Sequence, residues 1–239
     1  VKFRWTVLLN NQRIGNLLGI DSTLVHTIAV QPGKLREGEN TLSIVAPKAT
    51  DDIQVGPIRL ASVPSARLFP QLLTVSIKDA DNGKPLPCRI TITDESGALA
   101  ALHPASGQRL AHRPGVIYVS HGQAHTGLLP GRYTVYASRG FEYSVAKTAV
   151  QIEANKPASL NLKLRQEVPT PGLVATDTHI HTLTRSGHGD SSEEERMHTI
   201  AGEGIELAVA TDHNHHADYR PVQEATGTSA FFTSVIGNE

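Results

Sequence analysis

Leu173-Val174-Ala175-Thr176-Asp177-Thr178-His179-Ile180-His181 is where the periodicity of this chain changes. Upstream, apolar residues alternate with polar ones at the period of half-buried strands. Here an apolar run, Leu173 to Thr176, reads as a buried strand that ends in His-x-His. Ser192-Glu193-Glu194-Glu195 then opens a helix, with Ser192 at the cap and Glu195 at the third position of a capping box. Met197, Ile200 and Ala201 recur at helical spacing until Gly202 and Gly204 close it. Leu207-Ala208-Val209-Ala210 predicts a second buried strand, Tyr219 to Ala225 a short helix, and Phe231 to Ile236 a third strand. Strand, helix, strand, helix, strand implies a parallel sheet or the start of a barrel.

Chemistry collects at the ends of these strands. Seven of the twelve histidines fall after residue 178, and imidazole is the commonest side-chain metal ligand. Side chains two apart on a strand share a face, so His179 and His181 can address one ion. Two surface histidines at the head of a loop have the same spelling. His188, flanked by glycines in Ser186-Gly187-His188-Gly189-Asp190, can fold back over the strand end. Asp190 is either a further ligand or a helix cap, and the capping preference favours the cap. The second strand ends in Thr211-Asp212-His213-Asn214-His215-His216, the equivalent place in the next unit. His213 is the expected ligand there, with Asp212 orienting an imidazole from behind and Asn214 holding the loop. His215 and His216 are expected to be exposed. Glu239, after Gly237-Asn238 at the third strand end, places a carboxylate that could bridge two metals. His103, His112, His121, His125 and His198 share no strand end and read as structural or solvated.

Working outward, residues 166–172 form a turn-rich linker around Pro169 and Pro171. A β-rich block spans 71–165: Leu73, Val75 and Ile77 alternate, as do Ile90 and Ile92, with Asp81-Asn82-Gly83 and Glu95-Ser96-Gly97 as turns. A joint from Val63-Pro64 to Phe69-Pro70 separates it from residues 1–65, where Phe3, Trp5, Val7 and Leu9 alternate and Asn10-Asn11 offers a tight turn. His26 to Val30, Thr41 to Val45 and Ile58 to Val63 are the further strands expected there. The opening alternates like a strand from its first residue and lacks an initiator Met, which reads as the middle of a fold. Formal net charge is −1, with no long basic run, so neither nucleic acid nor an anionic membrane is favoured as partner. No stretch approaches the roughly 20 apolar residues of a membrane span. Cys88 is the only cysteine, which excludes an intrachain disulfide and a cysteine zinc cage.

Several of these segments resemble known families. Leu8 to Gly15 with Leu35-Arg36-Glu37-Gly38-Glu39-Asn40-Thr41-Leu42 ("GENTL") resembles the later strands of galactose-binding-like jelly rolls. Lys84-Pro85-Leu86-Pro87-Cys88-Arg89-Ile90 and Leu128-Leu129-Pro130-Gly131-Arg132-Tyr133-Thr134-Val135 resemble carboxypeptidase-regulatory-like, transthyretin-type sandwiches, which act as spacers. "DTHIHT", "SGHGDSS", "GIELAVATDHNHH" and the final "GNE" resemble the N-terminal part of the polymerase and histidinol phosphatase (PHP) family, most closely its carbaryl-hydrolase-like branch. That resemblance implies a seven-stranded distorted barrel with two or three Zn, Mn or Fe ions. His179 and His181 would share one metal, His188 and His213 another, and Glu239 would bridge. Metal-bound hydroxide would attack a phosphoester, ester or carbamate of a small-molecule substrate. The family's later motifs have no counterpart, so the chain reads as a fragment expected to retain metal weakly and to turn over little alone.

The expected fold is thus multidomain, with two all-β sandwich segments (1–65 and 71–165) before the first part of an α/β domain (173–239). The expected function is a metal-dependent hydrolase. The alternative is a β-sandwich carbohydrate-binding or adhesion protein with a vestigial metal-binding segment, its N-terminal sandwich in contact with glycan. Trp5, the only tryptophan, fits a core strand better than a sugar platform. An amidohydrolase also begins with His-x-His but usually lacks the "TDHN" element. The sandwich segments suggest export, periplasmic or extracellular.

Overall fold

The computed structural model describes residues 4–18, 23–69 and 71–239; the expectations placed on Phe3 and Pro70 lie outside them. The chain opens with β1 (Arg4–Leu9), β2 (Gln12–Leu18) and β3 (Leu42–Val45), which form an antiparallel sheet in the order β2-β1-β3. Trp5, Val7 and Leu9 are buried in alternation along β1, so the indole is core and not a sugar platform. Asn10 and Asn11 both take the left-handed backbone, at φ 51° and 63°, that a tight hairpin requires. Asn40, from the "GENTL" run, closes its loop: its side chain accepts from the Arg36 amide and donates to the Arg36 carbonyl, both at 2.9 Å.

Two strands expected in this block do not form. Residues 26–30 and 58–63 carry no strand, and Ile58 and Leu60 are 58% and 86% exposed. Pro57 and Pro64 flank the second of these stretches and supply no amide donor, which removes pairing where a sheet would need it. Instead of a jelly roll, the described residues of this block give a three-stranded sheet. It is tied to the next block by a bridge between Leu24 and Leu99.

After a short helical turn, α1 (Ser65–Leu68), come β4 (Gln71–Asp79), β5 (Cys88–Asp94), β6 (His103–Pro104), β7 (Leu110–Arg113), β8 (Val116–Val119), β9 (Gln123–Leu128), β10 (Gly131–Ser138), β11 (Ala146–Ile152) and β12 (Ala158–Leu164). They make a sandwich of two sheets, β11-β10-β5-β8-β7 and β12-β4-β9-β6. The alternation read from sequence is the packing rule here. Leu73, Val75 and Ile77 of β4 meet Cys88, Ile90 and Ile92 of β5 and Val135 of β10 in one core, all at most 1% exposed. Each such side chain contributes about 1.5–3 kcal/mol by leaving water. Burial in this core also pushes the Cys88 thiol up to about 12, which keeps it unionised and unreactive at neutral pH.

The last segment contains β13 (Thr176–Ile180), α2 (Leu183–Ser186), α3 (Glu193–Gly202), β14 (Leu207–Ala210), α4 (Arg220–Thr226) and β15 (Thr233–Ile236). The three strands pair in parallel in chain order. Ile180, Ala208 and Ala210 pack with Met197, Ile200 and Ala201 of α3 and with Tyr219 and Phe232. The strand expected at Leu173 begins only at Thr176; Leu173 and Val174 are 71% and 60% exposed. The capping box at Ser192 and Glu195 is present as read. A seven-stranded barrel is not: β13 and β15 end an open three-stranded sheet among the described residues. No helix among the described residues is long and apolar enough to cross a membrane.

Helix α3 lies on the outer face of β5, β8 and β7. Gly202 makes that approach possible, because a Cβ there would lie 2.9 Å from the Tyr118 ring and 3.0 Å from the Cys88 carbonyl oxygen. Glu203 accepts hydrogen bonds from Arg89 at 3.0 Å and Tyr118 at 2.7 Å. Arg113 donates to Glu195 at 2.9 Å. Buried Arg139 donates to the Pro87 carbonyl at 3.0 Å and to the Ala201 carbonyl at the end of α3. That places a cation at the carbonyl end of the helix, where the helix dipole is negative. The linker is pinned as well, since the Glu167 amide donates to the Glu142 carbonyl at 2.8 Å.

Candidate metal centre

Parallel pairing brings the C-terminal ends of β13, β14 and β15 side by side. The Thr211 amide donates to the Ile180 carbonyl at 3.0 Å, and the Gly237 amide to the Ala210 carbonyl at 2.9 Å. Gly237 is required for the second contact, since a Cβ would meet the Ala210 oxygen and Val209 Cγ1 at 2.8 Å. Past it, the Glu239 carbonyl accepts from the Asn214 amide at 3.0 Å, with Asn214 in the left-handed region at φ 57°. His188 arrives from the turn after α2, where Gly187 (φ 68°) and Gly189 (φ 93°) supply backbone conformations that favour glycine.

The five residues expected as ligands therefore converge. His179 Nε2 lies 2.8 Å from His181 Nε2 and 3.0 Å from Glu239 Oε2. His181 Nε2 is 2.9 Å from that same carboxylate oxygen, and His213 Nδ1 is 3.8 Å from it. The rings of His181, His188 and His213 stand 4.6–4.8 Å apart, centroid to centroid. Two triads, His181-His188-His213 and His179-His181-Glu239, each offer ligand atoms within 4.8 Å of one another. Imidazole with one carboxylate is a donor set suited to zinc, manganese or iron. Burial and the imidazoles of His213, His179 and His188 hold His181 below its ordinary pKa against the opposing pull of Glu239. Burial would raise Glu239, but the neighbouring histidines outweigh it and hold its carboxyl below the usual range.

Asp212 has a different place from the ligands. It is fully buried and receives four hydrogen bonds. Oδ1 accepts from the Thr182 amide at 2.7 Å, the Thr182 hydroxyl at 2.9 Å and the Ser186 hydroxyl at 2.8 Å; Oδ2 accepts from Tyr219 at 2.8 Å. Its acceptor capacity is largely spent on protein donors, and these hydrogen bonds, against burial, hold its carboxyl below the usual range. Asp212 reaches His181 through Ser186, whose hydroxyl oxygen is 3.3 Å from His181 Nδ1. Thr182, Ser186, Tyr219 and Gly237 were not singled out by sequence, because each has an ordinary spelling and becomes informative only through its contacts.

The remaining histidines lie elsewhere. His215 and His216 are exposed. His103 stacks on Phe69, and His125 Nδ1 is 3.0 Å from the Thr74 hydroxyl. His198 is 2% exposed, its Nδ1 3.1 Å from the Ser120 hydroxyl where α3 meets the sandwich. Asp190 is not the helix cap, which is Ser192; it pairs with Arg113 at 3.2 Å. A cleft of about 960 Å³ between α3 and the sandwich is bordered by His179, His181 and His188 at one end and Tyr118 and Arg139 at the other.

No family model matches the chain, and no curated protein matches it. Among solved structures, a minor pilin of Streptococcus agalactiae matches at 22% identity and a TM-score of 0.33, over 43% of this chain and 47% of that one. The shaft pilin of Lactobacillus rhamnosus GG matches at 16% identity and 0.30, over 42% and 47%. The major pilin subunit of Bacillus cereus matches at 12% identity and 0.27, over 54% and 33%. The chain thus spans about half the length, or less, of these structures, and likenesses this distant assign it no function. The expectations drawn from sequence are corrected here: no family model supports the PHP resemblance or those of the two sandwich segments, and the described strands β13–β15 form an open three-stranded sheet in place of a barrel. The reading of this chain as a PHP-type, carbaryl-hydrolase-like metal-dependent hydrolase is withdrawn on these two findings.

Proposed function

We propose that this chain is a metal-binding β-sandwich protein of the binding or adhesion class, in which the segment after the sandwich holds a divalent-metal centre at the ends of three parallel strands. The observation that carries this reading is the gathering of His179, His181, His188, His213 and Glu239 around His181 Nε2 and Glu239 Oε2. Without a cation, imidazole nitrogens at 2.8 Å compete for few protons. With one, each lone pair has a partner. Zinc, manganese or iron fits the donor set, and His181, common to both triads, offers its Nε2 to one ion. His179 is 66% and Glu239 45% exposed at the side chain, so an ion here is open to an oxygen donor from outside the chain. Such a site suits contact with a partner, and the setting is that of an exported protein.

The test is a calorimetric titration of the chelator-treated chain with zinc, beside a His179→Ala/His181→Ala variant. At least one ion per chain is expected, with affinity reduced by 100-fold or more in the variant, which loses two of the donors. Equal binding by both proteins would remove the reading.

A further inference from the structure

We infer that Ser186 is a positioning residue for this centre: bound to Asp212, it holds the Nδ1 proton of His181 and so turns a bare Nε2 toward His179 and Glu239. The metal this serves rests on the reading above, whereas the orientation of His181 does not.

The protons available around Ser186 fix the tautomer of His181. A serine hydroxyl has one proton to donate and two lone pairs. Ser186 Oγ has three partners: Asp212 Oδ1 at 2.8 Å, the His213 amide at 3.1 Å and His181 Nδ1 at 3.3 Å. The Asp212 carboxylate only accepts, so it takes the hydroxyl proton. The His213 amide only donates, so it occupies one lone pair. One lone pair is left for His181, and Nδ1 must therefore bring the proton. A neutral imidazole carries one, which leaves Nε2 bare.

Consequences follow at the other side of the ring. Bare Nε2 faces Glu239 Oε2 at 2.9 Å, and two lone pairs at that distance do not form a hydrogen bond. A cation between them converts the contact from repulsive to attractive. Histidine ligands to metals characteristically give their second nitrogen to an oxygen partner in this manner, and loss of that partner costs about 10- to 100-fold in metal affinity. Ser186 closes α2, and a serine merely ending a helix needs no bond to a carboxylate two elements away. The bond to Asp212, which also holds Thr182 and Tyr219, anchors the hydroxyl to the core.

The tautomer is read by long-range proton–nitrogen NMR of the imidazoles in the metal-free chain at mildly alkaline pH, with His181 assigned from a His181→Gln variant. The wild type is expected to show His181 protonated at Nδ1. Ser186→Ala is expected to shift the ring toward the Nε2-protonated form and to weaken zinc by about 10- to 100-fold, and Ser186→Thr to restore both. Nε2 protonation in the wild type, or an unchanged tautomer and zinc affinity in Ser186→Ala, would overturn the inference. If Ser186→Ala does not fold, the wild-type tautomer alone decides. Zinc binding with Nε2 protonated sinks the role of Ser186 and leaves the metal reading; Nδ1 protonation without zinc binding does the reverse.

Discussion

Acidification is expected to remove about 3 kcal/mol of stability through His198 alone. This histidine sits on α3, 2% exposed, with Nδ1 3.1 Å from the Ser120 hydroxyl of the sandwich. Burial pushes it down to about 4 from an ordinary 6.5, aided by His121 and Arg109 and opposed by Glu195. The sign follows from which state takes the proton first. As pH falls below 6.5 the unfolded chain protonates this imidazole while the folded chain does not, until about 4. The contribution is therefore complete above the unfolded value and is lost on descending to the folded one. Urea unfolding across this range should show a falling midpoint in the wild type. In His198→Leu that limb should flatten, the other acid-sensitive groups remaining. Parallel curves for the two proteins would show that His198 is not held neutral at the interface.

Asp212→Asn is expected to cost about 3 kcal/mol or more, since buried hydrogen bonds to a charged group contribute about 1.5–3 kcal/mol each. Asp212 is wholly buried and accepts from four donors. An amide keeps one acceptor oxygen and turns an NH2 toward donors that have nowhere else to go. Both a Tyr219 hydroxyl and the Thr182–Ser186 pair cannot be satisfied at once. The consequence reaches the metal centre, because Ser186 loses its anchor and His181 its fixed orientation. Denaturant midpoints and zinc affinity should fall together. A variant of wild-type stability would mean that the strand ends are held by pairing alone.

Much of the fold was legible because its signals are local. The 2-residue alternation of Leu73, Val75 and Ile77 and the Ser192–Glu195 capping box depend on neighbours in sequence, and both appear as read. The misreadings have non-local causes. Ile58 to Val63 alternates like a strand, yet no edge pairs with it between two prolines. Leu173 and Val174 are apolar but face solvent, and β13 begins three residues later. The convergence of His179, His181, His188, His213 and Glu239 could be anticipated because residues at successive parallel strand ends are neighbours by topology. The path from Asp212 through Ser186 to His181 could not be, since it depends on where α2 turns. The family resemblance misled where short motifs stood in for an architecture: three strands can present the same histidines without a barrel.

X-ray absorption at the zinc edge of the zinc-loaded chain reads the ligands of the centre themselves. Nitrogen and oxygen neighbours at about 2.0–2.1 Å are expected, with outer-shell scattering from at least two imidazoles that is lost in His179→Ala/His181→Ala. An oxygen-only shell without imidazole scattering, identical in the two proteins, would contradict it.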